Sequence, residues 1–497
     1  MLQHLVILPV LLPVFTAILQ LFPWFTDNLQ RRRQLSIFAM LLVLASSVLL
    51  LQQQMNTPAT HYLLGDWAEP FGILLVADQL SAFFVFITTS LALAVTLFSS
   101  GGDDEKGSFF HPLLHFQLMG INGAFLTGDL FNLFVFFEVL LISSYGLMIH
   151  GGGKKRIQTA LHYVLINLVG SVVFLFALAL LYSQLGTLHI SDMANRIALL
   201  PESERWLVQS AMAMLLLVFA LKAAMFPLHF WLPAAYSQTN PVVAAMFAVM
   251  SKVGIYSFIR VFTLLVGPAS GSLESYGYSI LLWSGLATML VAAVMALASV
   301  DLRRFSACTV LLSAGTLLVA FSLNDRELLA ATLLYAIHST WIAGLWFMLG
   351  EWLARQRGPV ADRIVPGPAL QQPQLAGWLF ALAAIGLVGM PPLSGFVSKV
   401  WLLQTALTVS QGWIFVTALL VSSFFILLAV SRAGSTIFWR SNKMAVPTQH
   451  RNSKGHLSAM LVLLALGLSL VLCGEWWSQY SLDAVDQLLA SRVKESI

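Results

Sequence analysis

Charged residues fill only 10% of the 497 positions, where an ordinary soluble domain carries about 25%. With 58% hydrophobic residues and a mean hydropathy of +0.83, that scarcity excludes a soluble globular protein and leaves an integral membrane protein. Cysteine is nearly absent. Cys308 and Cys473 fall in apolar segments without CxxC or Cys/His spacing, so no disulfide, zinc site or iron–sulfur cluster is expected. Motifs for nucleotide, flavin or metal are missing as well, which leaves no cofactor and no nucleic-acid partner to expect. Long polar stretches are also lacking: the connections 54–75, 186–205, 353–375 and 439–456 leave no room for a soluble domain. The opening MLQHLVILPVLLPVF has neither a basic n-region nor a small-residue cleavage site, and reads as a retained first helix.

What fills the sequence is apolar runs of about 20 residues, the length needed to cross a hydrocarbon core of ~30 Å. They lie near 3–22, 34–53, 76–99, 109–127, 129–150, 157–185, 206–235, 241–267, 276–299, 304–323, 327–352, 376–408, 412–438 and 456–477, about fourteen spans. Basic residues test this count. Alternate loops hold Arg31, Arg32, Arg33, Lys106, Lys154, Lys155, Arg156, Arg303, Arg304, Arg355, Arg357, Arg363, Arg440, Lys443, Arg451 and Lys454, whereas the intervening loops hold only Arg196, Arg205 and Arg326. The asymmetry follows the positive-inside rule and predicts both termini on the outer side. The expected fold is an all-α integral membrane protein. Its parts are 1–108 (three helices), 109–270 and 271–440 (five helices each), and 441–497 (a last helix and an amphipathic tail). Residues 186–201 suggest a short interfacial helix, 478–497 a packing tail, and GGDDEKG at 101–107 a solvated turn.

Two segments are too long to be simple spans. At 1.5 Å per residue, 206–235 and 376–408 would reach about 45 and 50 Å. Each carries internal proline: Pro227 and Pro233 in KAAMFPLHFWLP, and Pro391–Pro392 in GMPPLSGFVSK. Proline removes a backbone donor and clashes with the preceding turn, so both helices should break inside the membrane. Interrupted helices at matching places in two halves point to a transport site at mid-membrane, and predict two inverted five-helix repeats.

Ionisable groups sit inside these apolar runs. Lys222 lies beside the first break, Lys399 just past the second, Lys252 twelve residues after Asn240–Pro241, and Glu138 among phenylalanines in LFNLFVFFEVLLISSY. An ammonium at mid-bilayer costs roughly 2.5–3.5 kcal/mol, and snorkelling to the interface is the bland explanation for a lysine. Their distance from both helix ends argues instead for a proton path. Desolvation favours the neutral amine and a nearby carboxylate favours the charged one, so a Glu138–Lys222 pair would act as a gate. The expected order is Lys222, Lys252, then Lys399 through hydrated interior. His229 and His338 could relay protons, since histidine titrates near neutrality, or could be satisfied core residues. His162, Tyr163 and Asn167 could supply hydrogen bonds or ordered water. Arg260 and Arg432 read as anchors near helix ends, and Asp78 and Asp129 as helix N-caps.

Taken together, these motifs resemble the antiporter-like membrane subunits shared by Mrp-type cation/proton antiporters and respiratory complex I. The resemblance runs over nearly the whole length and rests on five motifs. These are Glu138 in FFEVLLISSY, Lys222 in LKAAMFPLHFWLPAAY, Lys252 in MSKVGIYSFIRV, Asp301–Arg304 in DLRRFSA, and Lys399 in GMPPLSGFVSK. It is most similar to the D-type member of the Mrp (Pha, Mnh) antiporters: Ser143–Ser144–Tyr145 stands where complex I subunits tend to carry proline. The resemblance implies that Glu138 and Lys222 are the coupled pair, Lys252 the central relay and Lys399 the terminal lysine. Two departures are present. Tyr236 replaces the second histidine of HxWLPxAH, and STWIAG after His338 lacks the family's frequent lysine, which shifts weight to His338 and water. The resemblance further implies a non-enzymatic subunit of a hetero-oligomeric bacterial cell-membrane antiporter exchanging H⁺ for Na⁺ or K⁺. The alternative is a proton-pumping subunit of a complex I-like oxidoreductase or membrane-bound hydrogenase. A scaffold without an ion path would leave the mid-membrane lysines unexplained.

Overall fold

A computed structural model describes residues 2–67, 72–440 and 454–494; Lys443 and Arg451 of the basic loops lie outside them. The described residues are helical almost throughout, and 11 helices among them are long and apolar enough to cross a membrane. The count from sequence exceeds this because three of its segments form shorter helices: Leu8–Leu19, Phe110–Leu126 and Pro373–Val388. Four helices form the centre: Gln79–Ser99, Pro241–Leu265, Leu302–Ser322 and Arg326–Gln356, buried over 89–100% of their apolar windows. They are apolar on every side because no side faces out. Lys154–Leu185, Gly412–Trp439 and Lys454–Leu472 are 28–39% buried and present Leu161, Leu165, Val169, Phe176, Leu420 and Phe424 outward, as a lipid-facing ring requires.

Helix ends follow from local chemistry. Asp78, Asp129, Asp301 and Asp325 each accept the amide three residues on, and Ser81 returns a bond to Asp78. Gly186 and Gly389 close their helices in the left-handed conformation that a side chain would disfavour. A short helix, Ile190–Leu199, forms within the segment 186–201. The tail forms Gly474–Lys494 and packs inward through Trp477, Tyr480 and Leu488. One element departs from an all-helical reading: Thr60–Leu63 pairs antiparallel with Leu74–Ala77 inside the polar connection.

Both long segments break. The first half-helix of one ends at Lys222, and the chain resumes as helix at Trp231; the other runs Pro373–Val388 and resumes at Ser394. Pro227 and Pro391–Pro392 lie in the gaps. Pro233 does not break anything: it is the third residue of Trp231–Gln238, where a missing N–H costs no hydrogen bond. Side chains take up some of the backbone groups set free, as burial demands. The Trp231 indole donates to the Leu221 carbonyl (3.1 Å), and the Phe226 amide donates to Thr288 Oγ1 (2.8 Å).

Candidate functional site: a buried row of lysines

Lys222 is the last residue of its half-helix. Its ammonium donates to Asn167 Oδ1 at 3.1 Å and lies 5.6 Å from the Phe137 ring centre. Glu138, half-buried on Leu130–Met148, accepts from the Ser171 hydroxyl. Asn167 and Ser171 are one turn apart on Lys154–Leu185, and Ser171 also donates to the Asn167 carbonyl (3.0 Å). The carboxylate and the amine are therefore joined through a neutral Ser–Asn step, and Glu138 makes no ion pair among the described residues. Tyr163, from the same triplet, meets Ser144 at 3.2 Å, while His162 turns outward.

Lys252 is 1% exposed and donates to Ser313 Oγ at 2.8 Å. Its helix is irregular just before it: the regular turn ends at Phe247 and restarts at Met250. Tyr236 donates to the freed Phe247 carbonyl at 2.7 Å. The tyrosine in place of the second histidine thus holds the distorted helix that presents Lys252. Gly254 sets this helix against the first break. A Cβ there would lie 2.7 Å from the Ala223 nitrogen and 3.1 Å from Lys222 Cβ.

Lys399 donates to the Leu387 and Val388 carbonyls (3.2 and 2.8 Å) and to Ser423 Oγ (3.0 Å). It lies past the break and reaches back to the carboxyl end of the half-helix before it, where unpaired carbonyls attract a cation. His338 Nδ1 meets Ser394 Oγ at 2.9 Å, at the start of the helix that carries Lys399. A cavity of ≈ 30 Å³ beside His338 and Ser394 has room for water. Between Lys252 and His338 stand hydroxyls: Ser313 and Thr316 share a helix face, Tyr335 faces Thr316, and its ring centre is 6.1 Å from that of His338. His229, half-buried in the first gap, stacks on Phe226 at 5.5 Å and, among the described residues, hydrogen-bonds to no lysine of the row.

Asn167, Ser313, Thr316, Tyr335 and Ser394 complete the row. Asn167 is the one of these that the sequence already singles out as a hydrogen-bonding group inside a span. The hydroxyl groups carry no signal, because serine and threonine in membrane helices commonly bond back to their own helix, as Ser313 and Thr316 also do.

A second set of charges contradicts the reading of 101–107 as solvated. Asp103 and Asp104 are 0–1% exposed. Arg33 donates to Asp104 through Nε and Nη2 (2.7 and 2.6 Å), and His111 Nε2 meets the same carboxylate at 3.0 Å. Arg355 donates to Asp103 and, at 3.0 Å, to Glu351, which with Asp362 also holds Arg303. Burial alone would raise the Asp104 carboxyl; the bonds from Arg33 and His111 win and hold it below the usual carboxylate range. Arg260, expected to anchor a helix end, is buried and grips Asp78 with two bonds of 2.5 and 2.7 Å. Arg432 caps the Ser299 carbonyl, an anchoring role as expected.

Residues 127–426 match the family described as NADH:quinone oxidoreductase/Mrp antiporter, transmembrane. The chain is 36% identical to the D component of a probable K⁺/H⁺ antiporter of Rhizobium meliloti (98% of this chain, 96% of the relative). It is 34% identical to the D component of the Na⁺/H⁺ antiporter of Bacillus subtilis (98% and 97%). Among solved structures, a chain of the Mrp complex from Dietzia superposes with a TM-score of 0.85 at 26% identity, covering 99% of both chains. A chain of respiratory complex I from Thermus thermophilus superposes at 0.82 with 22% identity, again over 99% of both, a likeness of fold alone. Spans, breaks and full-length identity agree: this chain belongs to the NADH:quinone oxidoreductase/Mrp antiporter membrane family, in the branch of the D-type antiporter components.

Proposed function

We propose that the chain is the proton-translocating subunit of a multisubunit Na⁺ or K⁺/H⁺ antiporter of the bacterial cell membrane, with both termini on the outer side. The proton path runs from the Glu138–Lys222 couple to Lys252, and by Ser313, Thr316, Tyr335 and His338 to Lys399; His229 adjoins its start. The two halves, 109–270 and 271–440, act as inverted repeats, each contributing one broken helix.

One observation carries this reading. Among the described residues, three buried ammonium groups are bonded only to neutral oxygens, and none is tied to a carboxylate that would hold its proton fast. Asn167 and Ser171 couple Glu138 to Lys222 at one remove. A small shift of either helix then changes how strongly the carboxylate stabilises the charged amine, and the proton moves on when that support weakens. The named relatives include one component of a K⁺ antiporter and one of a Na⁺ antiporter, which supports a monovalent cation without choosing between them. The complex I-like fold supports a proton-pumping subunit as the competing reading, and it would use the same row.

The test is dissipation of a pH gradient in vesicles of the complete complex, with Na⁺ and K⁺ added separately. Wild type should respond to one of them, and Lys252→Ala should lose the response while remaining in the membrane. An undiminished response in Lys252→Ala overturns the path. A gradient that no cation dissipates in wild type favours the pump.

A further inference from the structure

The outer wall of the bundle carries a feature that takes no part in the lysine row. At the basic end, a recess of ≈ 530 Å³ is lined by Lys155, Thr159, Ser237, Asp301 and Arg304, among others. An apolar groove of ≈ 440 Å³ adjoins it, lined by Leu165, Val169, Val173, Leu217 and Leu221. His162 and Phe230 line both, with ring centres 6.0 Å apart. Polar recess and apolar groove are thus one continuous track along Lys154–Leu185.

Its charges are unspent. Arg303 is taken by Glu351 and Asp362, but the side chains of Arg304 and Lys155 have no hydrogen bond or ion pair among the described residues. Asp301, the one acid in the recess, accepts from the Arg304 backbone amide (2.7 Å) as a helix cap. Two helices begin here, Lys154–Leu185 and Leu302–Ser322, and their amino ends add positive potential. Length decides what fits. From His162 to Val173 the helix rises about 16 Å at 1.5 Å per residue, against ~15 Å for half of the hydrocarbon core. The groove therefore matches one leaflet in length. A free anion would leave it empty. Val169 and Leu165 line it at 64% and 52% exposure, open to the bilayer.

We infer that the recess and groove seat one anionic phospholipid of the adjoining leaflet. Its phosphate lies between Lys155 and Arg304, its ester region beside His162 and Phe230, and one acyl chain along Leu165–Val173. Basic recesses between spans on the positive side are suited to such headgroups. The inference rests on the membrane placement and not on the transport reading.

The purified full-length chain tests it by native mass spectrometry with phosphatidylglycerol and phosphatidylcholine of equal chain length. Wild type should retain the anionic lipid roughly 10- to 30-fold better, the effect of two surface cations. Lys155→Gln/Arg304→Gln should erase that preference and leave phosphatidylcholine unchanged; both side chains are exposed, and each single variant should show an intermediate loss. Val169→Trp, which fills the groove, should lower retention of both lipids. An unchanged preference in the double variant overturns the inference. So does displacement of the lipid by millimolar inorganic phosphate, which would mark a free-anion site. So does a photo-crosslinker at Leu165 in the assembled complex that captures a partner protein instead of lipid.

Discussion

Two of the sets of buried charge among the described residues are built on opposite terms. At the basic end, Asp103, Asp104, Glu351 and Asp362 are bound to Arg33, Arg303 and Arg355 in close ion pairs. Along the middle, the hydrogen bonds of Lys222, Lys252 and Lys399 among the described residues go only to amide, hydroxyl and carbonyl oxygens. The first set uses arginine, which does not give up its proton, and so acts as a fixed joint between Leu29–Asn56, Phe110–Leu126, Leu302–Ser322 and Arg326–Gln356. The second uses lysine, whose proton can leave when desolvation outweighs local support. The choice of cation separates the ion-paired set from the row bonded to neutral oxygens.

That contrast can be broken at its stiffest point. Asp103→Ala leaves Arg355, Lys106 and Asn240 without their shared acceptor and should destabilise the protein by about 3–5 kcal/mol, read as lost membrane accumulation and earlier thermal unfolding. Normal accumulation would show the joint to be dispensable. Asn167→Leu removes the only side-chain hydrogen bond to the Lys222 ammonium among the described residues. A hydrogen bond to a charged group is worth about 1.5–3 kcal/mol, so transport in vesicles should fall roughly 10- to 100-fold with accumulation nearly intact. Loss of accumulation instead would make Asn167 structural. Tyr236→Phe strands the Phe247 carbonyl, at about 1–3 kcal/mol; it should slow transport less than Asn167→Leu and lower the unfolding temperature by a few degrees. The smallest effect is in acid. Because the Asp104 carboxyl lies below its ordinary value, its contribution is present above the unfolded value of ~3.9 and is lost as pH falls through the folded one. The stability gap between wild type and Asp104→Asn should thus be constant from pH 7 to about 5 and close below ~4. A gap that widens in acid would reverse the sign of that assignment.

The buried lysine row is largely legible in the sequence and the fastening set is not. A lysine inside an apolar run of 20 residues is visible because the bilayer makes it costly, and proline marks the breaks without reference to any distant residue. Asp103 and Asp104 sit in a glycine-bounded polar stretch that looks like any turn; Arg355 stands 252 positions away from Asp103. Asp78 and Arg260 are 182 apart, so each reads only as part of its own helix end, and the cap on Asp78 is correct but incomplete. Sequence suggests a direct contact between Glu138 and Lys222. A third helix stands between the two and inserts Asn167 and Ser171, which no single-span reading reveals. The pairing of Thr60–Leu63 with Leu74–Ala77 is invisible beforehand because four-residue strands leave too little alternation in a polar connection.

Gly254 has a mechanical consequence. With no side chain to hold them apart, the backbone leaving Lys222 rests on the helix that carries Lys252. The footing of the first two amines is therefore set by main chain on main chain, the least compressible spacing a protein can offer. Breathing of the bundle can alter how far each side chain reaches, but it leaves the interval between their anchor points unchanged.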